Sequence, residues 1–440
     1  MDKQLKFLLI FLALVFGVSI IYSFYFRIVP SVDAGAYDNI AWNIVQGNGY
    51  RESADTPFAD DNSIVRVGPG YEFFLAAIYY VFGHNYAMVW VIQALLLSLS
   101  AFLIFLATKE IFKDNWNFLI GISAAILIGF SPDLITMQGM LMSETLGVFL
   151  IILTTYLFFK YLNNERQSVW GTVLLAISLA LTVLVRTPAL FLVIPMFGYF
   201  IFYKKWKSLA IFIILLILLF IPWAARNYMI FRSFIPTNLA YGLDLAAGNH
   251  SGASGELEPH EISGQLIGQY GYVKANYLLL REAVGFIFGH PLEFLKITFY
   301  RLSIYFSFAR PTGFWFHLSG LSRALTLLFS AVYSVIIFIF GFWGIWGIKR
   351  LTGEGKERAK YLLTLLIMMP LAVIGIIVET RYRFLVYPFF AVFAAYGINL
   401  LAQKKMEWRP AVYIVLLLSA NTLFDIFRNF GRIIERVRGL

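Results

Sequence analysis

The sequence of 440 residues contains no cysteine, so disulfide frameworks, thiolate metal sites and thiol nucleophiles are excluded. Charge is scarce as well. Asp, Glu, Lys and Arg make up 14% of the chain, against about 25% in an average soluble domain. Hydrophobic residues make up 60%, too many for a single core wrapped in a solvated surface. The signatures of soluble catalysis are missing too: there is no HExxH, no Cys/His metal cluster, no GxGxxG after a strand, no P-loop and no Gly-x-Ser-x-Gly. Internal repeats, low-complexity tracts and a soluble domain of useful size are also lacking. What the chain has is apolar runs of some twenty residues, long enough to cross a hydrocarbon core of about 30 Å as helices and too long for barrel strands.

Eleven such runs are read, near 8–26, 86–108, 117–131, 144–162, 169–185, 188–203, 208–224, 324–348, 361–378, 384–402 and 410–427. The expected fold is an all-α polytopic membrane protein, one transmembrane domain over residues 1–440. The first run follows Lys3 and Lys6, exceeds a signal-peptide core and lacks a small-x-small cleavage site, so it is read as a retained span. Tyr71 to Phe82 is too short to span, and Pro291 to Phe308 carries Glu293, Lys296 and Arg301; both are placed at the interface. With the amino terminus in the cytoplasm, short loops such as those holding Lys109/Lys113, Arg166, Lys204/Lys205/Lys207 and Lys404/Lys405/Arg409 fall inside, along with 13 of the 15 lysines. Two long segments, 27–85 and 226–322, then face outward with most of the acids and several arginines. Eleven spans also put the basic tail, with Arg428, Arg432, Arg436 and Arg438, outside, against the charge rule.

After the first span, Ile40, Ile44 and Val45 with Tyr37 and Ala41 repeat at helical spacing until Gly47-Asn48-Gly49. Asp33 is thereby set at or just before the start of an interfacial helix. It is either a helix cap or a base within reach of water and lipid headgroups. Asp38, one turn on, is expected to be solvated or to support the same site. Glu144 opens a span from the external side, where a first-turn carboxylate suits the helix dipole. Asp55, Asp60 and Asp61 read as solvated loop charges. Arg186, Arg226, Arg381 and Arg383 all fall at external span ends, so one plane could collect four guanidinium groups opposite Asp33, with Arg66 a fifth. Each could instead snorkel to the interface or pair with an acid. His250 reads as a surface histidine.

These residues fall into an ordered series. Asp33-x-x-x-Tyr37-x-x-x-Ala41, Gly47-x-Gly49-Tyr50 and Arg66-x-Gly68-Pro69-Gly70-Tyr71 come first. Ser143-Glu144, Arg186-x-Pro188, Pro222-Trp223-x-x-Arg226-Asn227-Tyr228, Gly248-Asn249 and Arg381-x-Arg383-x-x-x-x-Pro388 follow. The series, over residues 1 to about 402, resembles the GT-C membrane glycosyltransferases, in particular protein O-mannosyltransferase-like enzymes and the aminoarabinose transferases of lipid A. The resemblance implies a GT-C-like bundle of about eleven transmembrane helices with interfacial helices in the first external loop. It also implies sugar transfer from a polyprenyl-phosphate carrier on the extracytoplasmic face of the cell membrane. Asp33 matches the catalytic first-loop aspartate, and Arg381 and Arg383 match positions that contact donor phosphate. Arg226 and Arg186 are grouped with them, and Tyr37, Asp38, Arg66, Tyr71, Glu144 and Asn249 are supporting candidates. Two departures stand out: Ala34 replaces the acid many relatives have after the aspartate, and Glu72 replaces the proline usual after Gly-Tyr. The first argues against an Asp-Glu metal pair, so no metal or other cofactor is assigned.

The reaction expected is a direct displacement with inversion, Asp33 deprotonating the acceptor while arginines stabilise the departing phosphate. No second carboxylate is evident near the motif to serve as nucleophile. Expected partners are the lipid-linked donor, a protein, lipid or glycan acceptor, and membrane lipids, with no nucleic acid. The rival readings are a transporter of an anionic or lipid-linked substrate and a glycan ligase or polymerase using a lipid carrier. A transporter should show broken spans in repeating halves, which this sequence lacks.

Overall fold

The structure, a computed structural model, describes residues 3–66, 68–113, 116–164, 168–258, 261–310, 317–405 and 407–432. Arg166, Arg436 and Arg438 of the charge map lie outside them. The helices are α1 (Lys3–Phe26), α2 (Asp33–Val45), α3 (Pro69–Phe82), α4 (Tyr86–Ile111), α5 (Asn117–Gly129), α6 (Pro132–Gln138), α7 (Ser143–Leu162) and α8 (Val169–Val185). The chain continues through α9 (Val193–Phe202), α10 (Trp206–Phe231), α11 (Ala240–Gly248), α12 (Glu261–Gly289) and α13 (Pro291–Phe306). It ends with α14 (Gly320–Trp346), α15 (Gly353–Ile374), α16 (Tyr387–Ala402) and α17 (Trp408–Arg428). Among the described residues the sole β feature is an isolated parallel bridge between Glu256 and Val378.

Each of the eleven apolar runs coincides with a helix. Six are long and apolar enough to cross a membrane: α1, α4, α7, α10, α14 with the turn after it, and α17. A seventh is counted if α5 and α6 form one span, but these meet at a 51° bend. Ser131-Pro132 explains the bend: the Ser131 side chain accepts from the Leu134 N–H and Pro132 occupies the first turn, so a new helix starts there. The run at 188–203 is likewise two pieces, a 3-10 turn over Thr187–Leu192 and then α9. The short segments at 71–82 and 291–308 are α3 and α13, as expected. Arg301 on α13, however, is fully buried within the protein.

The bundle is built around α16, which is buried on nearly every side, as a helix apolar all round must be. It crosses α14 with the backbones touching. A Cβ on Gly344 would lie 1.9 Å from the Phe393 carbonyl oxygen, and one on Gly397 2.5 Å from that of Phe340. Small residues make such close crossings available inside a membrane. By contrast α1, α10 and α17 leave most of their apolar side chains exposed, which marks them as lipid-facing.

Two local devices position the segment 27–85. Val32, immediately before α2, has φ +52°, a strained conformation for a β-branched residue, and it turns the chain so that Asp33 is the first helical residue. Gly68-Pro69-Gly70 then seats the start of α3 on the end of α8: a Cβ on Gly68 would lie 2.5 Å from the Leu184 oxygen, and one on Gly70 2.7 Å from the Val185 side chain. The segment 226–322 packs on segment 27–85, where Ile64 clusters with Ile235, Leu239 and Tyr272. Asn238 donates to the Arg66 carbonyl at 2.7 Å.

Candidate active site

Asp33 makes no capping bond; Val32 occupies the cap position without one either. Instead the Asp33 carboxylate accepts from Arg381 Nη1 at 2.8 Å on one oxygen and from Arg66 Nη1 at 3.4 Å on the other. Its side chain is a quarter exposed, so it keeps access to solvent and substrate. Arg66 is held in place by a fork onto Glu52, with Nη2 at 2.8 and 3.0 Å from its two oxygens and Nε at 3.2 Å. Planar two-point pairing of this kind fixes orientation as well as charge. The first external segment and the turn before α16, far apart in sequence, thus meet at Asp33.

A second layer lies beneath. Glu144, in the first turn of α7, is buried and pairs with Arg186 Nη2 at 3.0 Å, while Arg186 Nη1 donates to Ser143 Oγ at 3.1 Å. Gly147, one turn further, admits the Arg186 side chain: a Cβ there would fall 2.8 Å from Arg186 Cγ. Glu144 also reaches Arg381 Nη1 at 4.0 Å, so one guanidinium nitrogen touches both carboxylates. Arg381 is further paired with Glu379. Asp244, on α11, faces the same group. Its carboxyl is pushed up to about 7, first by burial and then by the charges of Glu379 and Asp33, with Arg381 opposing. The expectation that no second carboxylate stands near Asp33 is therefore corrected: Arg381 Nη1 reaches Glu144 as well as Asp33, Arg381 also pairs with Glu379, and the charge of Asp33 acts on Asp244. Glu379 lies two residues from Arg381 in the sequence and carries that signal; Asp244 carries none.

The four-guanidinium plane is also corrected. Arg381, Arg66 and Arg186 come together, each already paired with a carboxylate. Arg383 does not join them. It is fully buried and donates to the carbonyls of Ile304 at 2.8 Å, Tyr305 at 2.7 Å, Ser307 at 2.6 Å and Arg310, closing off the end of α13. The physical reason is the exposed carbonyl fringe at a helix carboxyl end, which a buried fork of donors satisfies. Arg226 has a different environment. It donates to the Tyr50 carbonyl and to Asn227 Oδ1, both at 2.9 Å, and lies over Trp223, Tyr50 and Phe58 with ring distances of 5.0, 5.4 and 5.6 Å.

Arg226 lines a cavity of about 870 Å³ whose other walls include Tyr50, Phe73, Leu146, Val185 and Trp223. The cavity is almost wholly apolar. It adjoins the charged group along the chain, because Leu146 is two residues from Glu144 and Val185 precedes Arg186. Pro222, within α10, also lines it, and its missing N–H loosens the helix there.

Other candidates are structural. Asp38 is buried, not solvated: it accepts from the Tyr79 and Tyr86 hydroxyls at 2.6 Å each and pairs with His84 at 2.7 Å, tying α2 to α3 and α4. Tyr37 packs edge-on against Tyr71 at 5.5 Å, and its phenol is pushed well up, by burial first and then by the charges of Asp33 and Glu144. The Tyr71 hydroxyl donates to Gln93 at 2.9 Å. Asn249 donates to Leu245 O at 2.9 Å and accepts from Arg301 at 3.2 Å, fastening the end of α11 beneath the site. Asp61, read as solvated, is buried and accepts N–H bonds from Glu52, Ser53 and Ser63; burial pushes its carboxyl up, but these bonds outweigh it and the net shift is downward. Glu72 is fully buried beside the Tyr50 hydroxyl, without a hydrogen bond of ordinary geometry to either oxygen among the described residues. Arg432 of the basic tail pairs with Glu258 at 2.5 Å, so this residue and the segment 226–322 share one end of the bundle. Among the described residues no group of three His, Cys, Asp or Glu side chains is arranged to hold a metal ion.

Residues 66–225 match the family model of the dolichyl-phosphate-mannose-protein mannosyltransferases. No curated protein matches in sequence. Among solved structures, the oligosaccharyltransferase AglB from Archaeoglobus fulgidus, in complex with an inhibitory peptide and a dolichol-phosphate, is similar with a TM-score of 0.51 at 15% identity, covering 98% of this chain and 56% of its own. ArnT from Cupriavidus metallidurans, bound to undecaprenyl phosphate, is similar with a TM-score of 0.50 at 13% identity, covering 94% and 63%. This chain thus spans just over half to somewhat under two thirds of these structures. The fold is that of the GT-C membrane glycosyltransferases.

Proposed function

We propose that this protein transfers a glycosyl residue from a polyprenyl-phosphate carrier to an acceptor hydroxyl or amine at the extracytoplasmic membrane surface. The observation that carries the reading is the junction of two unlike environments. A partly exposed carboxylate, Asp33, is set among arginines beside an apolar cavity of about 870 Å³ that has a single guanidinium, Arg226, in its wall. A lipid-linked sugar phosphate has the same two-part character: a greasy tail for the cavity and an anion with a polar sugar for the charged group. The matched mannosyltransferase model and the lipid phosphates held by AglB and ArnT support the same class of donor.

In this reading the carrier tail occupies the cavity and Arg226 meets the donor phosphate, because its present partners are a carbonyl, an amide oxygen and aromatic faces. Arg381 borders both sides of the reaction. Asp33 accepts the acceptor's proton as its oxygen or nitrogen attacks the anomeric carbon; the bond from that carbon to phosphate breaks, and its electron pair leaves on the phosphate. Guanidinium groups already in place stabilise that charge without reorganising. Glu144 is buried and committed to Arg186, Glu379 is paired with Arg381, and Asp244 is pushed toward its protonated form, which leaves Asp33 as the base and favours one displacement with inversion. The test is to incubate purified protein with candidate polyprenyl-phosphate sugars and to measure release of free lipid phosphate and the anomeric configuration of the product. No release from any donor, with lipid, peptide and glycan acceptors supplied, would remove the reading.

A further inference from the structure

Arg381 stands in a poorly supported place. It lies in a 3-10 turn over Thr380–Leu385, reached from α15 through an extended stretch. So short an element does not hold a side chain to the few tenths of an ångström that a reacting geometry needs, so the support must come from outside it. Two supports are present, one on each side. Before Arg381, the backbone of Val378 bridges to that of Glu256 in the second external segment. After it, Arg383 is fixed by its four carbonyls, one of which is that of Arg310.

Both supports converge on one residue. The Arg310 guanidinium is buried and holds Glu256 at 2.6 Å through Nη1, while Nε and Nη2 grip the two oxygens of Asp425 on α17 at 2.8 Å each. Its side chain therefore anchors the strap that bridges to Val378, and its carbonyl anchors Arg383. We infer that Arg310 is a positioning residue for the reaction, setting Arg381 against Asp33 by fixing the chain on both sides of it. Asp425 acts through Arg310 and couples the last helix to the site. The inference rests on the glycosyl-transfer reading for its kinetic consequence and on the geometry alone for its structural one.

The test uses the full chain in detergent or nanodiscs with two variants. Arg310→Lys keeps the charge but cannot grip two carboxylates at once, and Glu256→Gln leaves the Arg310–Asp425 pair whole if the lysine variant does not fold. Hydrogen exchange over residues 376–385 is expected to speed up by tenfold or more in either variant, with α16 unchanged. The kcat for lipid-phosphate release is expected to fall about a hundredfold, the usual consequence of an ångström of misplacement, with donor KM within threefold because Arg226 is untouched. Unchanged exchange over 376–385 in a folded variant overturns the inference, as does a rate loss that only tracks the folded fraction. Failure of the wild-type chain to turn over any donor would fall on the transferase reading, while the exchange measurement would still decide the positioning role.

Discussion

Replacing Asp33 by Asn tests the chemistry with little disturbance of the fold, and the contacts say why. Arg66 would keep its fork onto Glu52, and Arg381 would keep Glu379 and the nearby Glu144, so neither cation is stranded. The lost ion pairs involve a side chain a quarter exposed to solvent, where such pairs contribute about 0–1 kcal/mol. Stability should therefore hardly move. Activity should move a great deal: a positioned general base contributes roughly a hundredfold to ten-thousandfold, or about 3–5 kcal/mol of barrier. Donor affinity should hold or tighten, since Arg381 gains freedom toward phosphate. The measurement pairs a melting curve with initial rates of lipid-phosphate release across donor concentrations. Turnover within threefold of wild type would refute Asp33 as the base, and a raised KM at unchanged kcat would recast it as a binding residue.

Arg226→Gln should raise donor KM by tenfold or more with a smaller change in kcat, read from saturation curves, whereas Arg383→Gln should lower the melting temperature, because it leaves the carbonyls at the end of α13 unpaired. Asp244, with its carboxyl near 7 in the native state against an ordinary 3.8, retains its proton to higher pH than in the unfolded chain, so its contribution to stability is intact below about pH 4 and is lost as pH rises through 7. Its ionisation also adds negative charge beside Arg381, so kcat for lipid-phosphate release should fall above pH 7, and Asp244→Asn should flatten that fall. Glu72 follows the same sign: burial pushes its carboxyl to about 8, so the native protein loses stability as pH rises from about 4.5 to 8, by at most roughly 5 kcal/mol. Melting temperatures at pH 5 and pH 9 should differ less in Glu72→Gln than in wild type.

The helices were legible because membrane spans are written in local composition. Twenty apolar residues in a row have few alternatives in a bilayer, and every run found this way is helical here. Interruptions were legible only partly. Ser131-Pro132 sits in plain view, yet whether it ends a span or bends one depends on what the next turn packs against, and α6 folds back under Gln138, which donates to Ser19 O at 2.9 Å. Asp33 was legible from its place after the first span. Its distinction from a helix cap was not, because that turns on Val32, whose backbone conformation no local pattern specifies.

The charges show where such reading stops. Arg66 and the four arginines at span ends look alike in sequence, yet their partners differ completely: carboxylates for Arg66, Arg186 and Arg381, a fringe of carbonyls for Arg383, aromatic faces for Arg226. A guanidinium satisfies whichever acceptors the tertiary fold brings within reach, and these range from Glu52, 14 residues from Arg66, to Asp33, 348 residues from Arg381. The difference matters for function, because a cation already neutralised by two acids is a weaker phosphate ligand than one surrounded by rings and a single carbonyl. Under the proposed glycosyl transfer, Arg226 would take the donor role that position alone shared among four residues, with Arg381 as the link between donor and base.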